Sequence, residues 1–213
     1  IAEEEQINAV LAAVIPSRLV DRVRSGEQGI ADLVDSATMI SFLVDGIPEA
    51  IGSNQDTVFE ITEQLVEGIE QLQEQFGVER IRRSTTSALF ASGLGMDEPR
   101  IEAAAEFTAA VLQLVQAIGS EYGQNLSIRA GLATGDVASG VIGQQLLAFS
   151  MWGEPVTTAF TLASLARTGE ILIDSAVCDA LGSGWDFERR GGLPGLDDTV
   201  EAWALRPPPT IDA

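Results

Sequence analysis

Residues 128–174 read IRAGLATGDVASGVIGQQLLAFSMWGEPVTTAFTLASLARTGEILID, and this stretch decides how the rest of the chain is read. Its first part alternates apolar and polar residues like strands and is punctuated by glycine at 131, 135, 140 and 143. After AFSMWG comes a helix, PVTTAFTLASLA, with Pro155 in its first turn, where the missing N–H would have no partner anyway. ILID, residues 171–174, reads as a short buried strand. The segment is therefore a hairpin, a helix and a strand.

Working outward, the N-terminal side holds an Ala-rich helix over 98–119, ending near Gly119, and before it a hairpin over 78–92. The hairpin carries Ser84, Thr85, Thr86 and Ser87 at its tip, where Gly, Asn or Asp are usual. A helix over 54–76 repeats Val58, Leu65 and Leu72 every seven residues, and Gly77 suits its C-cap. Its outer face, with Glu60, Glu63, Glu67, Glu70 and Glu74, reads as solvated. ATMISFLV, residues 37–44, is a strand stopped by Asp45-Gly46. At the N-terminus an amphipathic helix over 3–15 is interrupted by Pro16, and a short second piece runs through Leu19 and Val23. Beyond residue 174 come a short helix, SAVCDALG, and strands in WDFERRGGLPGL and VEAWALR. The expected division is a connector helix and hinge over 1–34, one domain over 35–206 and a tail over 207–213. A hairpin between two long helices predicts an α+β fold, a ferredoxin-like antiparallel sheet with helices on one face.

Composition removes several kinds of function. The chain has 213 residues, 32 acidic against 12 basic, for a formal net charge of −20. Every basic residue is arginine, and there is neither Lys nor His. Nucleic acid is not an expected partner, because counterion release needs a basic face. Without His no imidazole base or ligand is available, and without Lys there is no Schiff base and no P-loop. With 46% hydrophobic residues the chain can bury a full core, and no apolar run of about 18 residues is expected to span a membrane. Cys178 is the lone cysteine and reads as a small core residue, which suits the cytoplasm. The chain starts at Ile1, so an upstream sensor or membrane domain is expected.

These residues resemble the catalytic domain of class III adenylate and guanylate cyclases. The family writes the region of 128–174 as R-x-G-[IL]-x-x-G-x-[VA]-x-x-G-x-[VI]-G, then Trp-Gly-Asp, then T-V-N-x-A-x-R, then G-x-I-x-[VI], and the spacing here is kept without a gap. AAVIPSRLVDRVRSGEQGIAD resembles the family's I-L-P-x-x-[VI]-A-x-R-L-x-x-G-E-x-x-I-A-D. The resemblance covers roughly residues 10–205. It implies a dimer with two sites at the subunit interface. One chain supplies two metal aspartates, and the other supplies base-reading residues, an Asn for ribose and an Arg for the phosphate. The implied chemistry is attack of the ribose 3′-oxygen on an α-phosphate, assisted by two divalent metals.

Carried across position by position, the chemical residues are replaced. The first metal aspartate, in F-A-D-I-V-G-F-T, aligns with Leu43 in SFLVDGIP. The second, in K-T-I-G-D, aligns with Thr86, the glycine before it with Thr85, and the base-reading Lys with Arg82. The other base-reading position is Ser150, the ribose Asn is Thr157 and the transition-state Arg is Thr161. The late phosphate-binding run falls at Pro194 and Leu196. Asp45 is the one substitute ligand in reach, two residues along the strand from Leu43. Three readings stand. The first is a silent cyclase-homology domain, without cofactor, that relays signals as a homodimer or as a heterodimer with another cyclase-family chain. The second is a small-molecule sensor that reuses the interface pocket. The third is an active cyclase with a site rearranged around Asp45 and Arg82.

Overall fold

The computed structural model describes residues 17–27, 29–47, 55–95, 100–142, 148–191 and 201–206. The helix expected over 3–15, the tail over 207–213 and the phosphate-run positions Pro194 and Leu196 lie outside them. The elements run α1 (Ser17–Arg24), β1 (Ala31–Asp45), α2 (Gln55–Phe76), β2 (Val78–Arg83), β3 (Ser87–Ser92), α3 (Ile101–Glu121), β4 (Ser127–Ile142) and β5 (Ala148–Trp152). They continue with α4 (Glu154–Leu165), β6 (Ile171–Asp174), α5 (Ser175–Leu181), β7 (Asp186–Arg190) and β8 (Ala202–Arg206). The main sheet is ordered β2-β3-β1-β4-β6-β8-β7, and β5 pairs with the far end of β4.

The α+β expectation holds, with two corrections. The β4–β6 pair is parallel, because α4 crosses over between them, so the sheet is mixed. Helices also cover both faces rather than one. The even-numbered side of β1 (Ile40, Phe42) packs with α2 and α3, around Phe42, Phe90 and Phe107, whose ring centroids lie 5.2–5.9 Å apart. The odd-numbered side (Ala37, Met39) packs with Val156 and Ala159 of α4 and with Leu19 and Val20 of α1. Alternation in a strand buried on both sides hides which helix takes which face.

α3 is long and apolar enough to cross a membrane by length and composition, contrary to expectation. Phe107, Val111 and Val115 on it are buried in the first core, so it serves here as a core helix. It runs on to Glu121, past the stop expected near Gly119, because Gly119 lies buried against Leu126 rather than at an end.

β1 is longer than the strand expected over 37–44, and its start at Ala31 lies four residues before the expected domain start. A register shift against β4 falls between Val34 and Ala37. Ser36 there has φ of 57°, and its N–H donates to Asp136 Oδ1 at 3.1 Å. This β-bulge bends the ladder and separates the core sheet from an arm of β1, β4 and β5. The GLATGDVASGVI run is one strand, β4, and its hairpin partner is β5.

Gly131 fixes α4 against β4. A methyl at this position would collide with the Ala159 carbonyl and sit 2.5 Å from the Ala163 amide nitrogen. Both are helix backbone, so nothing small can move aside. Gly131→Ala is expected to cost about 2–3 kcal/mol, measured as a lower urea midpoint.

Asp174 ties β6 to α5 and β4: Oδ1 accepts the Val177 N–H at 2.8 Å and Oδ2 accepts the Thr134 N–H at 3.2 Å. Burial pushes its carboxyl above the ordinary carboxylate value, against the pull of these N–H groups. A raised folded value means its stabilising contribution is full below the unfolded value and is lost as pH rises through the folded one. Asp174→Asn is expected to remove that decline from urea stability curves taken as pH rises above the ordinary carboxylate value.

Candidate functional site

The hairpin tip closes without a glycine. Ser84 N–H donates to the Ser87 carbonyl at 2.7 Å, and Ser87 N–H donates to Ser84 Oγ at 3.2 Å. The two hydroxyls also bond each other at 2.8 Å. Side-chain oxygen thus replaces a backbone acceptor and closes the turn. Neither Thr85 nor Thr86 has positive φ, as expected for β-branched residues where a glycine would normally turn the chain.

The tip stays docked on β1. Thr86 carbonyl accepts the Val44 N–H at 2.9 Å, and Leu43 lies opposite Ser87 on one side and Arg129 on the other. The two aligned metal positions are therefore neighbours: a half-buried Leu43 and an exposed Thr86. Hard divalent cations take oxygen donors, chiefly carboxylates. A leucine offers none and a threonine only a neutral hydroxyl, so the two metals implied by the family do not fit here. Among the described residues no cluster of three or more His, Cys, Asp or Glu side chains could hold a metal.

Asp45 is committed elsewhere. Arg129 holds it in a fork, with Nε at 3.2 Å from Oδ1 and 3.0 Å from Oδ2, and Nη2 at 3.1 Å from Oδ1. Thr168 Oγ1 donates to Oδ2 at 2.8 Å. Both ionic side chains are less than a third exposed. The clamp joins β1, β4 and the turn after α4, a structural task that satisfies the carboxylate.

Among the described residues, the remaining aligned positions gather around α4 and β5. Arg82 is exposed, with its guanidinium carbon 5.7 Å from the centroid of the Phe160 ring on α4. Thr157 and Thr161 share the outward face of α4, and Thr161 Oγ1 donates to the Thr157 carbonyl at 2.9 Å. Ser150 lies on β5 opposite Gly140. The structure thus brings Leu43 and Thr86 together and lays Arg82 against α4.

Sequence reasoning missed a row on the arm. Leu33, Ala138 and Trp152 face one another across three strands, and Ile142 and Ser150 share their side. Leu33 is 86% exposed, Ile142 52% and Trp152 42%. These exposed apolar side chains share one surface of the arm. The alternation in β4 and β5 was visible, but the pairing with residues 31–34 was not.

The class this fold defines is a cyclase catalytic domain. The chain matches the family described as adenylate and guanylate cyclase catalytic domain over residues 41–204, and it belongs to that family. It is 27% identical over 195 residues to an adenylate cyclase of Mycobacterium tuberculosis, covering 90% of this chain and 44% of that protein. It is 23% identical to a membrane guanylyl cyclase of Dictyostelium discoideum, over 88% of this chain and 13% of that protein. The chain therefore spans less than half the length of these relatives. Among solved structures it resembles the adenylyl cyclase CyaB of P. aeruginosa, with TM-score 0.76, 15% identity, and 84% and 97% of the two chains covered. It also resembles a dimeric guanylyl cyclase domain from Blastocladiella emersonii, with TM-score 0.73, 17% identity, and 83% and 96% covered.

Removing either half of the clamp should expose its structural role. Asp45→Ala and Arg129→Ala are each expected to destabilise the fold, with a coupling of about 1–2 kcal/mol in a double-mutant cycle read by urea unfolding. Manganese should leave the melting temperature of the parent chain unchanged.

Proposed function

We propose that this chain is a catalytically silent cyclase-homology module that dimerises and relays a signal. The observation that carries this reading is the donor set at the two aligned metal positions, Leu43 and Thr86, with the nearest carboxylate held by Arg129 and Thr168. Metal-assisted phosphoryl transfer is positioning plus charge neutralisation, and without either ligand both are lost. An arginine fork and a hydroxyl already use the Asp45 oxygens, and Arg82 rests over Phe160, which counts against a rearranged active site.

Dimerisation is supported by the exposed apolar row on the arm, Leu33, Ile142 and Trp152. Ser150, at an aligned base-reading position, lies on the same surface, so the replaced site residues border the proposed contact. A second copy of this chain or another cyclase-family chain would cover it. In a composite site each chain contributes half, so a heterodimer with an active chain is expected to be inactive at both sites.

Purified chain with ATP or GTP and manganese is expected to yield no cyclic nucleotide. Product formation above a protein-free control would reject silence. Leu33→Asp combined with Trp152→Asp is expected to turn a dimer into a monomer in sedimentation velocity, with the circular dichroism spectrum unchanged. A dimer that persists would place the contact elsewhere.

A further inference from the structure

Beneath the hairpin tip, on the side of the sheet covered by α2 and α3, lies a cavity of about 280 Å³. Its walls are apolar: Phe42 and Val44 of β1, Leu65 and Ile69 of α2, Val111 and Val115 of α3. Neither Ser150, Thr157 nor Thr161 lines it, so it is separate from the aligned substrate positions. Its volume is near the lower end of small-molecule sites, about 300–1,000 Å³. At about 30 Å³ for a group the size of water, it holds on the order of nine such groups.

The rim has a different chemistry. Arg83, Ser84, Thr85 and Ser87 border it. Adjacent strand residues face opposite ways, so Arg82 goes to Phe160 across the sheet while Arg83 stays on the cavity side. Arg80 takes Glu70 Oε1 at 3.0 Å, and Arg83 reaches the same oxygen only at 3.9 Å. A cation with a weak partner thus stands at the mouth of an apolar cavity, in a chain whose net charge is −20.

We propose that this cavity binds an amphiphile with an apolar body on the order of eight to ten carbons and an anionic head, as in a medium-chain carboxylate. The body lies between α2 and the sheet, and the carboxylate pairs with the Arg83 guanidinium beside the rim hydroxyls. The same hairpin holds Val44 through the Thr86 carbonyl, so occupancy bears directly on the tip that docks against β1. The site does not depend on catalytic silence, and binding is measured without nucleotide.

Calorimetric titration of the whole chain with decanoate, decanol and acetate tests it. Decanoate is expected to bind saturably, one per chain, and to raise the melting temperature, whereas acetate should not bind. Arg83→Gln, an exposed change that leaves the packing intact, is expected to weaken decanoate roughly tenfold while leaving decanol unaffected. Val66→Trp, which fills the cavity from α2, is expected to abolish binding of both. Absence of saturable decanoate binding overturns the proposal. So does decanoate affinity that Arg83→Gln leaves unchanged, or binding that survives in a folded Val66→Trp chain.

Discussion

The antiparallel ladder between β1 and β4 carries the rest of the molecule. It runs from Ala31 opposite Gly140 to Asp45 opposite Ser127, broken once by the bulge at Ser36. On one side of the bulge its two faces divide the two cores, one under α2 and α3 and the other under α4. On the other side it becomes the arm with β5. The register also decides which side chains stand together at its end, where Leu43 lies opposite Arg129 and Asp45 is within the reach of that same arginine. A one-residue slip would move all of these to the opposite face.

Framework and chemistry answer to different constraints. Gly131 is required because helix backbone occupies the space a side chain would need. Leu43 and Thr86 face no such demand, since a strand and a turn accept many residues. The hairpin tip makes the same point. Ser84 and Ser87 close it by side-chain hydrogen bonds without a glycine, and Thr86 docks on Val44 through its backbone carbonyl. Asp45, two residues along β1 from Leu43, is part of a clamp joining three segments.

The two faces of the sheet have separate prospects. The arm and the outer face of α4 carry Ser150, Thr157 and Thr161 together with the exposed apolar row, the surface proposed for association. The cavity under the hairpin tip opens on the other side, with its own cation at the rim. The β2–β3 hairpin sends Arg82 to one and Arg83 to the other, and a shift of this hairpin would be felt on both.

By itself the sequence determined most helices, the short β6 strand and the place of the hairpin. Those follow from local periodicity, from turn and cap residues, and from motif spacing, all short-range properties of the chain. The tertiary structure alone decided that helices cover both faces, that β1 begins at Ala31 and bends at Ser36, and that β4 is a single strand. It alone joined Asp45 to Arg129, 84 residues away, and set Leu33 beside Trp152 through Ala138. Periodicity says that a side chain leaves a strand on one face, but not which distant element waits there. That choice is made by register and packing, which act only once the chain has folded.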